Sequence, residues 1–161
     1  MKYVVEKEKE ISELASKFSK SIYLPLIVGI TGPLGAGKTS FVRHFIKKYR
    51  ESEKVKSPTF GLLEEYNYAE IKIIHVDLYR IKKYEKNYID FYNYHTEKSL
   101  FLIEWIDNDQ KLMQNSDIII NIEILDENGS REFNLMGNSS RGKRVIENMK
   151  NDWHTRYIVG F

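Results

Sequence analysis

The sequence predicts an α/β domain: a sheet with a largely parallel centre and antiparallel strands toward the carboxy terminus, flanked by helices. Three observations predict it. Short apolar runs near residues 22–30, 71–76 and 100–103 read as strands buried on both faces. Stretches of helical periodicity stand on either side of the first run. The last third then changes to strand-like runs separated by an Asn-Gly pair, a hairpin signal.

The elements follow in order. Ile11, Leu14, Ala15 and Phe18 fall at i, i+3, i+4 and i+7, which predicts an amphipathic helix over 6–20. Ile22 to Ile30 is apolar and β-branched, with Pro25 early in the strand, where an edge or first position tolerates it. A glycine-rich turn follows. A helix is then predicted from Lys38 to Arg50, with Phe41, Val42, Phe45 and Ile46 as its buried stripe. Ile71 to Val76 ends in Asp77, and Leu100 to Ile103 ends in Glu104. Between them, Tyr79 to Lys98 is rich in tyrosine and lysine and predicts a partly helical stretch. It reads equally as a surface for a protein or nucleic-acid partner, or as a helix with core tyrosines and solvated lysines. Asp117–Leu125 and Arg131–Met136 flank Asp126-Glu127-Asn128-Gly129 as a hairpin, and a short basic helix follows Gly137. Residues 1–150 make one domain. Residues 151–161 form an extension that the pattern does not place.

Composition narrows the function classes. The chain has 161 residues, 42% hydrophobic and 30% charged, which excludes a disordered polymer. It has no cysteine, so disulfides, thiolate metal sites and cysteine nucleophiles are excluded. Lys plus Arg is 25 and Asp plus Glu is 23, a net charge of +2 that permits nucleic-acid contact without arguing for it. No apolar run is long enough for a membrane span, and the charged amino terminus is unlike a signal peptide. A soluble cytoplasmic protein with no membrane partner is expected.

Gly32-Pro33-Leu34-Gly35-Ala36-Gly37-Lys38-Thr39 fits G-x-x-x-x-G-K-[ST], the phosphate-binding P-loop. It follows a predicted strand and opens a predicted helix, the context such a loop requires. Its glycines let the backbone turn sharply and aim N–H groups at phosphate oxygens. The helix adds the positive end of its dipole. Lys38 reaches the β- and γ-phosphates, and Thr39 offers a hydroxyl to Mg²⁺. The loop therefore predicts a nucleotide's phosphates and Mg²⁺ as ligands, within a sheet like that of the P-loop NTPases.

Such a loop needs an acid at a neighbouring strand end. Asp77 and Glu104 are both candidates, since strand ends in open α/β sheets lie on the ligand side. His75 shares a strand face with Asp77, and so either orients it, contacts substrate, or packs in the core. In Ser57-Pro58-Thr59-Phe60, the proline holds Ser57 extended; taken alone these residues read as a plain turn, or as a loop whose two hydroxyls could touch a γ-phosphate or a water. His44, His95 and His154 show no metal-ligand spacing. Asp126 to Gly129 spells the GTPase-like D-x-x-G, but on a hairpin expected to lie far from the loop, and without N-K-x-D. Arg141 and Arg144 could imitate the lid of a small-molecule kinase. No arginine finger is evident near the loop; Arg80, three residues after Asp77, is a candidate cation.

GPLGAGKT, SPTF, HVDLYR and IEW, in this order and spacing, resemble the bacterial TsaE family, also called YjeE, over about residues 5–147. The resemblance implies ATP or ADP as the nucleotide, and a P-loop ATPase required for the threonylcarbamoyladenosine modification of tRNA beside the anticodon. It implies work with the TsaB and TsaD proteins, and leaves open an indirect or direct contact with tRNA. Carried over, Gly32 to Thr39 bind phosphates, Thr39 and Glu104 hold Mg²⁺, and Asp77 positions or activates water. Lys38, Asp77 and Glu104 are then the catalytic set, and Ser57 and Thr59 the nucleotide-sensing loop. Trp105 matches a family tryptophan near the site or the partner surface. Ile11 stands where the family often has a threonine that contacts nucleotide. Residues 139–142 match the family's carboxy-terminal loop only loosely, and 151–161 extend past the match. Slow hydrolysis alone and a faster rate with partners are expected. A small-molecule kinase and a non-catalytic nucleotide-gated adaptor are the competing readings.

Overall fold

The computed structural model describes residues 1–58, 63–80 and 95–151. Seven strands form one sheet: β1 (Lys2–Val5), β2 (Leu26–Thr31), β3 (Leu63–Asn67), β4 (Lys72–Asp77), β5 (Ser99–Glu104), β6 (Ile118–Ile124) and β7 (Arg131–Gly137). Their spatial order is β1-β7-β6-β2-β5-β4-β3. The centre, β6-β2-β5-β4, is parallel. The flanking strands β7, β1 and β3 each run antiparallel to their inner neighbour. The predicted class therefore holds. All four central strands end on one side, where the loop after β2 also lies.

The helices are α1 (Glu8–Ser21), α2 (Lys38–Ile46), α3 (Gln110–Asn115) and α4 (Ser140–Asn151), with a 3₁₀ turn at Ile106–Asn108. Strand alternation sorts the core into two layers. Val28, Ile30, Leu100, Leu102, Ile118 and Ile120 share a cluster with the apolar stripes of α1, α2 and α4. Phe18 of α1 is fully buried, its ring 5.9 Å from Phe41 and 5.8 Å from Phe45 of α2. Truncating such a ring to alanine costs roughly 3–5 kcal/mol. On the other face Ile74, Val76, Phe101 and Ile103 pack with Ile106 of the 3₁₀ turn and with Leu112 and Met113 of α3.

Several boundaries differ from expectation. β2 begins at Leu26, not Ile22, because Pro25 has no N–H to give a sheet ladder. α2 ends at Ile46 rather than Arg50; the chain tightens there, with Lys48 N–H on Phe45 O and Tyr49 N–H on Ile46 O. β1 and β3 carry too little apolar signal to be predicted. In β1 only Tyr3 and Val5 are buried, and Lys2 pairs with Glu132 at 2.8 Å. In β3 only Tyr66 is buried. The Asn-Gly hairpin forms as predicted, with Gly129 at φ 88°. The predicted basic helix is α4, which runs to Asn151, one residue past the expected boundary. Most of the tyrosine- and lysine-rich stretch, residues 81–94, and the tail from 152 lie outside the described residues. Among the described residues, no helix is long and apolar enough to cross a membrane.

Candidate functional site

β2 delivers the chain into the glycine-rich loop, and α2 starts at Lys38. Two glycines are required by their surroundings. Gly32 has φ 137°, and a Cβ there would overlap the Ile122 carbonyl of β6. Gly37 precedes the helix in a left-handed conformation, φ 100°. The Lys38 ammonium turns back over the loop, donating to Gly32 O and Pro33 O, each at 2.8 Å. It also lies 3.6 Å from the centre of the Trp105 ring. Burial pushes the Lys38 pKa down from its ordinary value, while the charges of Glu104, Asp107 and Asp77 pull it back up.

Trp105 is itself held in the left-handed region, φ 57° and ψ 38°, which costs a bulky residue about 1–3 kcal/mol. Its N–H donates to Ile30 O at 2.9 Å, at the end of β2, and its ring stands 4.8 Å from that of Tyr79. The strain at Trp105 thus brings its ring onto the loop lysine.

Asp77 and Glu104 end adjacent strands in direct register. The Thr39 hydroxyl donates to Glu104 Oε2 at 2.8 Å, and Glu104 Oε1 lies 2.7 Å from His75 Nε2. Glu104 is only 2% exposed. Asp77 accepts from the Ser57 hydroxyl and from the Tyr79 N–H, each at 2.9 Å. Lys38, Thr39, Ser57, Asp77 and Glu104, with the outer loop, Arg80 and Trp105, line a cleft of about 390 Å³, and His75 lies buried outside it. Among the described residues, no three carboxylates or imidazoles cluster as a metal cage. A hydroxyl and one carboxylate, both hard oxygen donors, suit a Mg²⁺ ion that keeps waters and takes its other ligands from phosphates.

The structure brings Lys38, Thr39, Ser57, Asp77 and Glu104 together, as expected. Gly35 and Leu34 form the outer lip, with Leu34 73% exposed, while Ala36 is buried beneath it. Pro33 contributes a carbonyl to Lys38. Ile11 does not line the cleft: it is a core residue, 3.9 Å from where a Cβ on Gly37 would stand. Thr59 lies outside the described residues. Of the three readings of His75, the structure supports burial in the core, where it meets Glu104 rather than Asp77. His44 pairs with Glu8, and His95 stacks on Phe101. His154 is outside the described residues.

Two expectations need correction. Arg141 donates to Pro25 O and Arg144 covers the Tyr23 ring, both at the entry to β2. That is the end of the strand remote from the loop, so they form no lid over it. The D-x-x-G hairpin is not far from the loop, because β6 neighbours β2 in parallel. Arg131 spans the gap, donating to Gly129 O at 2.9 Å and more weakly to Gly35 O at 3.4 Å. Asp126 accepts from the Ser130 N–H and closes the turn.

Sequence reasoning missed Arg131, Tyr79 and Ser40 as neighbours of the site. Ser40 and Tyr79 had a usable signal, since they follow the loop and Asp77 closely in the chain. Arg131 had none before the strand order was known.

The family model described as "Threonylcarbamoyl adenosine biosynthesis protein TsaE" matches residues 5–133. A Haemophilus influenzae protein named tRNA threonylcarbamoyladenosine biosynthesis protein TsaE is 35% identical over 127 residues, 78% of this chain and 79% of its own. The protein of that name from Rickettsia felis is 36% identical over 143 residues, 88% and 83% of the two chains. The crystal structure of Bacillus subtilis YdiB superposes with a TM-score of 0.73, covering 94% of each chain at 20% identity, a likeness of fold.

Proposed function

Because the chain belongs to the TsaE family, we propose that it binds and hydrolyses ATP, and that this serves the threonylcarbamoyladenosine modification of tRNA with TsaB- and TsaD-like partners. The family's role in that biosynthesis is the premise, and the chemistry is read from the cleft. One observation carries it: the Thr39 hydroxyl and the Glu104 carboxylate meet at 2.8 Å where the phosphate loop joins its helix, with Asp77 on the next strand.

The loop N–H groups and the α2 amino terminus bind the β- and γ-phosphate oxygens. Lys38 leaves its two carbonyls and moves onto the phosphate tail. Thr39 and Glu104 would hold a magnesium ion, which would supply positive charge against the phosphate oxygens. Asp77, held by Ser57 and the Tyr79 N–H, orients a water in line with the γ-phosphorus. The water oxygen bonds to phosphorus as the bond to the bridging oxygen breaks, giving ADP and phosphate. The water's proton leaves toward Asp77 or solvent. Trp105 and Tyr79, their rings 4.8 Å apart, form one wall of the cleft.

Arg80 is the described arginine that lines the cleft. Partner proteins are expected to complete the site and raise the rate. The test measures phosphate release by the chain alone and with the two partner proteins, using ATP and Mg²⁺. Slow release alone and faster release together support the proposal. Equal rates overturn partner stimulation. Transfer of phosphate to an acceptor without free phosphate would favour a kinase, and nucleotide-dependent partner binding without turnover would favour an adaptor.

A further inference from the structure

We propose that His75 is a positioning residue that fixes the Glu104 carboxylate for the metal, an inference that rests on the functional reading above. His75 lies inside β4 and is fully buried. Strand alternation puts it on the same face as Asp77, yet its Nε2 reaches across to β5 and stands 2.7 Å from Glu104 Oε1. The other oxygen of that carboxylate is the one on Thr39. Glu104 is therefore held at both oxygens, one by a residue of the phosphate loop and one from beneath the site.

The second ring nitrogen sharpens the assignment. His75 Nδ1 is buried with no hydrogen-bond partner. The arrangement that strands no buried donor carries a hydrogen on Nε2 and none on Nδ1. His75 then donates to Glu104 and keeps that carboxylate an acceptor. A leucine in its place would fill similar space but leave Glu104 Oε1 without its partner and free to rotate. Residues that orient a metal ligand in this way typically tune metal affinity about 10–100-fold. A histidine with a purely packing role would not be sensitive to which nitrogen is replaced.

The experiment uses the full chain with three substitutions. His75→Gln keeps a donor near the Nε2 position, His75→Asn places its amide near Nδ1 instead, and His75→Leu has none. Two quantities are read: binding of a fluorescent ADP analogue without divalent ion, and the affinity for Mn²⁺ at saturating ADP, followed by electron paramagnetic resonance. Folding is checked by circular dichroism. The expected result is unchanged metal-free ADP binding throughout, Mn²⁺ affinity near wild type for His75→Gln, and a loss of about tenfold or more for His75→Asn and His75→Leu. Should His75→Leu fail to fold, the Gln–Asn contrast alone decides. Equal Mn²⁺ affinity in Gln, Asn and wild type overturns the role of His75 while leaving the site intact. A wild type that binds ADP with no Mn²⁺ dependence overturns the underlying reading, and the inference falls with it.

Discussion

The two ends of the parallel strands solve the same problem in opposite ways. Both must satisfy polar groups where the sheet stops. At the entry end, Asp117 is the node. Its carboxylate accepts from the Ile27 N–H at 2.9 Å and from the Ser139 hydroxyl, its own N–H donates to Ile27 O at 2.8 Å, and its carbonyl accepts from Asn138 N–H at 2.8 Å. Most of these bonds have a backbone group on one side, and α4 closes over them. At the exit end the polar groups pair chiefly through side chains: Thr39 with Glu104, Ser57 with Asp77, and Lys38 with its own loop. Those pairs line an open cleft. Backbone-anchored pairs resist exchange, whereas side-chain pairs beside solvent can swap one partner for a ligand. The entry end therefore holds the fold, and the exit end is free to do chemistry.

The largest expected effect belongs to the exit end. Lys38→Ala should lower ATP turnover about 10²–10³-fold, the usual loss for one preorganised electrostatic contact. Circular dichroism should show the fold intact. An unfolded variant would break the comparison, since it would make the loop lysine structural.

Next comes a backbone clash at the entry end. A Cβ on Gly142 would overlap the Asp117 carbonyl. Gly142→Ala should destabilise by about 3 kcal/mol, the upper range of overpacking, in urea unfolding. Nucleotide binding by the folded fraction should not change. Asp117→Ala strands the Ile27 N–H and the Ser139 hydroxyl, and should cost about 2 kcal/mol by the same measurement. A loss of nucleotide affinity without a loss of stability in either variant would reverse the assignment of the two ends.

The smallest effect is on pH dependence. Burial lowers the Lys38 pKa from its ordinary 10.5. Between the lowered value and 10.5 the unfolded chain binds more protons at this site, so folding stability attributable to Lys38 rises with pH. At neutral pH the buried ammonium is therefore a cost. Comparing wild type with Lys38→Met by chemical unfolding across that window should show the wild type gaining relative stability as pH rises. A relative loss would mean that the nearby carboxylates outweigh burial.

The exit end was far more legible in the sequence than the rest. Its loop must be spelled with glycines, a lysine and a threonine, and its acids stand at the ends of runs of β-branched and aliphatic residues that can hardly be anything but interior strands. Chemistry of that kind restricts residue type at each position. β1 and β3 are restricted only by register, through backbone bonds such as Tyr3 against Phe133 and Tyr66 against Ile73. Lys-Tyr-Val-Val among charges and Leu-Glu-Glu-Tyr-Asn at an edge carry no comparable signal. Arg131 was hidden for the same reason, because its approach to Gly35 depends on β6 lying beside β2. The partner of His75 stayed open because alternation gives a face but not a neighbour: Asp77 is nearer in sequence, and Glu104 is the one in reach.

The ammonium folded over Gly32 and Pro33 has a thermodynamic consequence. An incoming polyphosphate does not find a bare cation; it displaces two carbonyl oxygens, and the measured affinity is the difference between two sets of contacts. If an anion then departs, those oxygens can take the charge back, so the lysine is not left without a partner. A turn that supplies its own counter-ligand would grip a phosphate less tightly than a bare cation would, and release it more easily.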